Sequence, residues 1–170
     1  MWSKEDALTI NLLLSMLEIE PNIDKFNSWM LGGVGATAAL VVTNIGSIKS
    51  ATKVSAPSLF LALLAVSALF GFLAKVNGIK ARNAKTLFQC ILSSMEGNQE
   101  TNVSASLESY LSAFPIWVRF FMERGARKGE IDPLFGFKKA VNFVLMQGVY
   151  TTLQGLMFIM FIVSASLSLK

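Results

Sequence analysis

Three stretches of the chain carry no formal charge and are long enough to cross a lipid bilayer: residues 26–48, 54–74 and 140–169, of 23, 21 and 30 residues. A bilayer's hydrocarbon core is about 30 Å thick, which about 20 apolar residues cross as a helix. No water is available there to bond the backbone, so each run has to satisfy its own N–H and C=O groups, and a helix does so. Helices buried in a large soluble core are the competing explanation, and three such runs in 170 residues argue against it. Composition agrees: 15% of residues are charged, against about 25% in soluble domains, and the mean hydropathy is +0.54. The expected fold is all-α, a polytopic membrane protein with three transmembrane helices.

Lysine and arginine give that fold an orientation. Of the 15 basic residues, ten lie in residues 75–139 between the second and third runs, and Lys4 and Lys25 precede the first. Three spans put those twelve on one side and leave Lys49, Lys53 and Lys170 on the other. Positive charge is retained on the cytoplasmic face, so the N-terminus and the long segment are expected in the cytoplasm. The expected setting is a bacterial cytoplasmic (inner) membrane. The opening MWSKEDAL has Glu5 and Asp6 where a signal peptide carries basic residues, and no cleaved targeting segment is expected.

The remaining segments read as helices outside the hydrocarbon. Residues 1–25 form an N-terminal amphipathic segment: Ser3 and Asp6 resemble a capping box, and Pro21 is expected to end the helix. Its uncharged run, residues 7–17, is too short to span, so it lies at the interface or docks on other helices. Residues 49–53 are a tight link, making 26–74 a hairpin, with Pro57 in the first turn of its second arm. In the cytoplasmic region, 75–139, Ala84, Leu87, Phe88, Ile91, Leu92 and Met95 keep a helical rhythm. This helix can continue directly from the second span, since only Gly78 interrupts. Gly97 marks its end, and two further amphipathic helices follow before residues 140–170 return to the membrane.

Within the last run, Gln147, Thr151 and Gln154 recur at helical spacing, and Gly148, Thr152 and Gly155 form the adjoining row. An unbonded amide facing hydrocarbon costs several kcal/mol, so this face is expected to meet another helix, with the glycines allowing close approach. The alternative is a wet path lined by Gln147, Thr151 and Gln154 in an oligomer. Gly35, Ala39 and Thr43 in the first run, and Ser67 with Gly71 in the second, are small-residue rows that also suit helix pairing. Lys75, Lys80, Arg82 and Lys85 follow the second span, and Arg124, Arg127 and Lys128 precede the third. With Trp117 they are expected to contact the membrane surface.

Chemistry is sparse. The chain has no histidine and one cysteine, Cys90, which leaves no intramolecular disulfide and removes the usual zinc ligand and general base. No nucleophile–base, metal-ligand or phosphate-loop motif is present: the string GGVG lacks a following Lys-Ser/Thr. No catalytic residue, metal or cofactor is expected. The basic residues track the membrane edges and form no recognition module, which speaks against nucleic acid as a partner. The function expected is therefore non-enzymatic: an integral membrane protein that self-associates, or serves as a subunit of a membrane complex, with its cytoplasmic helices contacting a partner. The alternative is a pore-forming or membrane-permeabilising effector.

Overall fold

The structure, a computed structural model, describes residues 4–51, 56–96 and 134–168. These form five helices: α1 (Lys4–Leu17), α2 (Glu20–Thr43), α3 (Ile45–Ala51), α4 (Ala56–Glu96) and α5 (Phe135–Ser168). Three stretches are long and apolar enough to cross a membrane: Leu8–Thr43, Pro57–Gln89 and Phe135–Ser168. The expectations placed on residues 97–133, among them Trp117, Arg124, Arg127 and Lys128, fall outside the described residues.

The first of these stretches differs from its expected limits. The chain breaks at residues 18–19 rather than at Pro21, through a turn in which Glu18 N–H donates to Ser15 O and Ile19 N–H to Met16 O. Glu20 and Pro21 then open α2. A proline lacks the N–H that a first helical turn leaves unbonded anyway, so Pro21 starts a helix where it was expected to end one. At its other end α2 stops at Thr43, short of residue 48. Asn44 marks the stop: its backbone N–H and its side-chain Nδ2 both donate to Leu40 O, at 3.1 and 2.9 Å, and α3 resumes at Ile45.

α4 runs unbroken for 41 residues, about 60 Å at the α-helical rise, carrying the second apolar stretch straight into the basic region beyond it. α4 and α5 are antiparallel and form the principal packing pair, and α2 lies chiefly against α4. Their buried positions follow a seven-residue period. In α4 they are Pro57, Phe60, Leu64, Ser67, Gly71, Ala74, Gly78 and Ala81; in α5 they include Phe137, Ala140, Val144, Gln147, Thr151, Gln154 and Phe161. In α2 they are Glu20, Asn27, Val34 and Val41. Alternating steps of three and four keep one seam facing its neighbours, the pattern of left-handed helical bundles.

Along that seam the interior changes character twice. At one end Val34, Val41, Phe60, Leu64 and Phe161 pack together, with the Phe60 and Phe161 rings edge to face at 5.6 Å. At the other end Leu17 of α1 packs with Ala81, Ala140, Val141 and Val144, and Phe88 stacks on Phe137 at 4.1 Å. α1 is therefore docked on α5 and α4, with Leu8 and Leu12 on its outer side. Between the two apolar clusters the core is polar.

Candidate functional site

The polar interior consists of two layers of the same design. In one, Glu20 of α2 and Gln147 of α5 meet over Gly78 of α4: a β-carbon on Gly78 would stand 2.5 Å from Gln147 Nε2 and 3.0 Å from Glu20 Oε1. In the other, Asn27 and Gln154 meet over Gly71. Asn27 Nδ2 donates to Gly71 O at 3.0 Å, and a β-carbon on Gly71 would lie 2.7 Å from Gln154 Nε2. Each residue of the first layer is seven positions from its counterpart in the second, in all three helices. The two layers are thus one heptad apart, about 10 Å along the bundle. A larger residue on α4 would displace neighbours at both levels: Gln147 and Glu20 over Gly78, and Gln154 together with Leu31 of α2, whose Cδ2 would lie 2.6 Å from the β-carbon, over Gly71.

Further polar groups tie the layers together. Ser67 Oγ donates to the backbone carbonyl of Gln154 at 2.9 Å, joining α4 to α5. Thr151, between the two glutamines, turns its hydroxyl back to Gln147 O at 2.9 Å. Gln147, Gln154, Asn27 and Ser67 are 0% exposed.

A charged cluster adjoins the Glu20 layer. Arg82 of α4 donates to Glu20 Oε1 at 3.0 Å and to Asp24 Oδ2 at 3.2 Å, while Lys75 Nζ reaches Asp24 Oδ1 at 2.7 Å. Glu20 is buried, whereas Arg82 is about half exposed. The Glu20 carboxylate has thus lost most of its water, and the arginine at the bundle surface supplies the opposing charge and donor.

The structure separates the expected site residues. Gln147, Thr151 and Gln154 are brought together inside the bundle, facing α4 and α2 of the same chain. Gly148 and Gly155 are half-buried beside α2: β-carbons there would come within 4.0 Å of Ile23 Cδ1 and 3.3 Å of Met30 Cε. Thr152 is exposed, its hydroxyl bonded to Gly148 O. Gly35, Ala39 and Thr43 are all on the outer face of α2, and a β-carbon on Gly35 would meet nothing within 4 Å. Within the chain the α2 interface runs instead through Asn27, Val34 and Val41.

Three of the basic residues expected at the membrane surface have partners within the chain. Lys75 and Arg82 pair with the α2 carboxylates, and Lys80 stands 5.7 Å from the centre of the Phe143 ring. Lys85 is half-buried.

Glu20, Asp24, Asn27 and Gly78 are site residues that the sequence alone does not single out. Reading spans by absence of charge placed Glu20 and Asp24 outside the first run and reduced Gly78 to an interruption. A signal was present: Gly71 and Gly78 share the seven-residue interval of Gln147 and Gln154. Among the described residues no group of three His, Cys, Asp or Glu side chains comes together as metal ligands. Comparison with known proteins adds no assignment: no protein family matches the chain, and no curated protein or solved structure is similar to it.

Proposed function

We propose that this is an integral membrane protein without enzymatic activity that self-associates through the outer face of α2. The reading of a membrane protein is supported by its three long apolar helices and by the large apolar side chains on the outside of the bundle, including Trp29 at 77% exposed, Phe72, Leu145, Val149, Ile159 and Met160. In water so extensive an apolar exterior promotes aggregation; against lipid it is the favourable surface. With twelve of fifteen basic residues on one side, the N-terminus faces the cytoplasm, and the segment between α4 and α5 is available there to a partner.

The observation that carries self-association is a contrast between glycines. Gly71 and Gly78 are required by close intramolecular packing, whereas β-carbons on Gly32, Gly33, Gly35 and Gly46 would meet nothing within 4 Å. Gly32, Gly35, Ala36, Ala39 and Thr43 instead form an open small-residue surface on which a second α2 can approach closely. The test is particle mass in native lipid discs. The proposal expects an oligomer that Gly35→Leu with Ala39→Leu converts to monomer while the helical spectrum is retained; a monomeric wild type rejects it.

The pore-forming alternative rests on the Gln147, Thr151 and Gln154 stripe, which lies within the bundle and ends against Val34, Phe60, Leu64 and Phe161, so a path through the chain would require this apolar cluster to open. Ion leakage from vesicles, altered by Gln147→Leu, is its signature.

A further inference from the structure

Five buried side-chain atoms in the two layers have no hydrogen-bond partner among the described residues: Asn27 Oδ1 and both amide atoms of Gln147 and of Gln154. An unbonded polar group in apolar surroundings costs about 1–3 kcal/mol. Folded proteins are stable by only about 5–15 kcal/mol, so leaving all five unsatisfied would cancel much of that. A partner is required.

The chemistry of the set narrows what that partner is. Two amide NH2 groups donate and three amide oxygens accept. A cation would satisfy the oxygens alone and an anion the nitrogens alone. Water satisfies both, with about three bonds per buried molecule. The glutamines do not readily serve one another: their layers are about 10 Å apart, and side chains on one helix face lean in the same direction. Thr151 stands between them, and its hydroxyl keeps lone pairs after donating to Gln147 O. At the Glu20 end, Gln147 Nε2 and Glu20 Oε1 flank one point over Gly78, yet Gln147 Nε2 has no bonded partner.

We propose that the two layers bind water, as a short internal file running from the Glu20 carboxylate past Gln147 and Thr151 to Gln154 and Asn27. The file is closed beyond Gln154 by Val34, Leu64, Phe60 and Phe161. Its other end lies beside Arg82 at the bundle surface. The bundle thereby contains a dead-ended wet compartment between two dry clusters, independent of whether copies of the chain associate.

The test is magnetisation transfer from water to the side-chain amides of the full-length, 15N-labelled protein in lipid bilayers, read by solid-state NMR. Single Gln147→Met and Gln154→Met variants assign the two signals by their loss. Water cross-peaks to both glutamine amides, with none to the backbone N–H of Leu64, are the expected result. Glutamine amides as isolated from water as Leu64 would overturn the proposal, and would mean direct amide–amide or amide–carboxylate bonding. In Gly78→Ala, the added methyl should abolish the Gln147 cross-peak and leave that of Gln154. A Gln147 cross-peak of unchanged intensity in that variant would overturn the placement of water at the Gln147 amide. If the variant does not fold, the wild-type spectrum still decides the main point.

Discussion

Gln154 shares with Leu31 the place that a side chain on Gly71 would need, its Nε2 lying 2.7 Å and Leu31 Cδ2 2.6 Å from where that residue's β-carbon would stand. Gln147 and Gly78 repeat the relationship one heptad away. The polar core is therefore a matter of complementary sizes as much as of hydrogen bonds, with the bare backbone of α4 receiving the longest neutral polar side chains of α5.

Enlarging either glycine should be costly. Gly71→Leu and Gly78→Leu each force Gln154 or Gln147 out of place, and overpacking of this kind costs about 1–3 kcal/mol. Gly33→Ala, on the open side of α2, should leave stability unchanged or raise it by up to about 1 kcal/mol, the helix-propensity difference. Thermal unfolding in a mild detergent compares the three. Equal losses in all of them would mean that α4 and α5 are not packed at these levels.

Arg82→Ala leaves the buried Glu20 carboxylate without its principal partner and should destabilise the fold by about 2 kcal/mol, below the loss for a fully buried pair because Arg82 is half exposed. Adding Glu20→Gln to that variant should restore part of the loss. A double-mutant cycle reads the coupling directly, and additive single effects would show that the two side chains do not interact.

Ser67→Ala and Asn27→Ala each delete one inter-helix hydrogen bond, to Gln154 O and Gly71 O respectively. Each should cost about 1 kcal/mol. The Asn27 substitution should cost somewhat more, since it also leaves a small cavity. Chemical denaturation resolves both, and no loss in either would mean that these contacts are not formed.

Orientation can be read by labelling. In a chain with Cys90→Ser, a cysteine at Ser50 should react with a membrane-impermeant maleimide on intact cells. A cysteine at Glu18, in the exposed turn between α1 and α2, should react only after permeabilisation. The opposite pattern would invert the topology.

The glutamine stripe was legible because it interrupts an otherwise apolar run at helical spacing, and physical cost alone required it to face protein. Its partners were not. Glu20 stands six residues before the first uncharged run, so a criterion based on absence of charge excludes it, although neutralisation by Arg82 lets it enter the bundle. Pro21 illustrates a second limit. Proline both closes and opens helices, and the turn at residues 18–19 decides between them. The outward Gly35, Ala39 and Thr43 mark a third: small residues show that close approach is permitted, not which neighbour approaches.

The two-layer design also makes α5 resemble a sliding bolt with two identical notches. A slip of one heptad against α4 can bring Gln147 onto Gly71, but it carries Gln154 to Leu64 and parts Phe60 from Phe161 and Phe88 from Phe137. The notches alone would tolerate more than one alignment. The aromatic pairs at either end are the stops that select one.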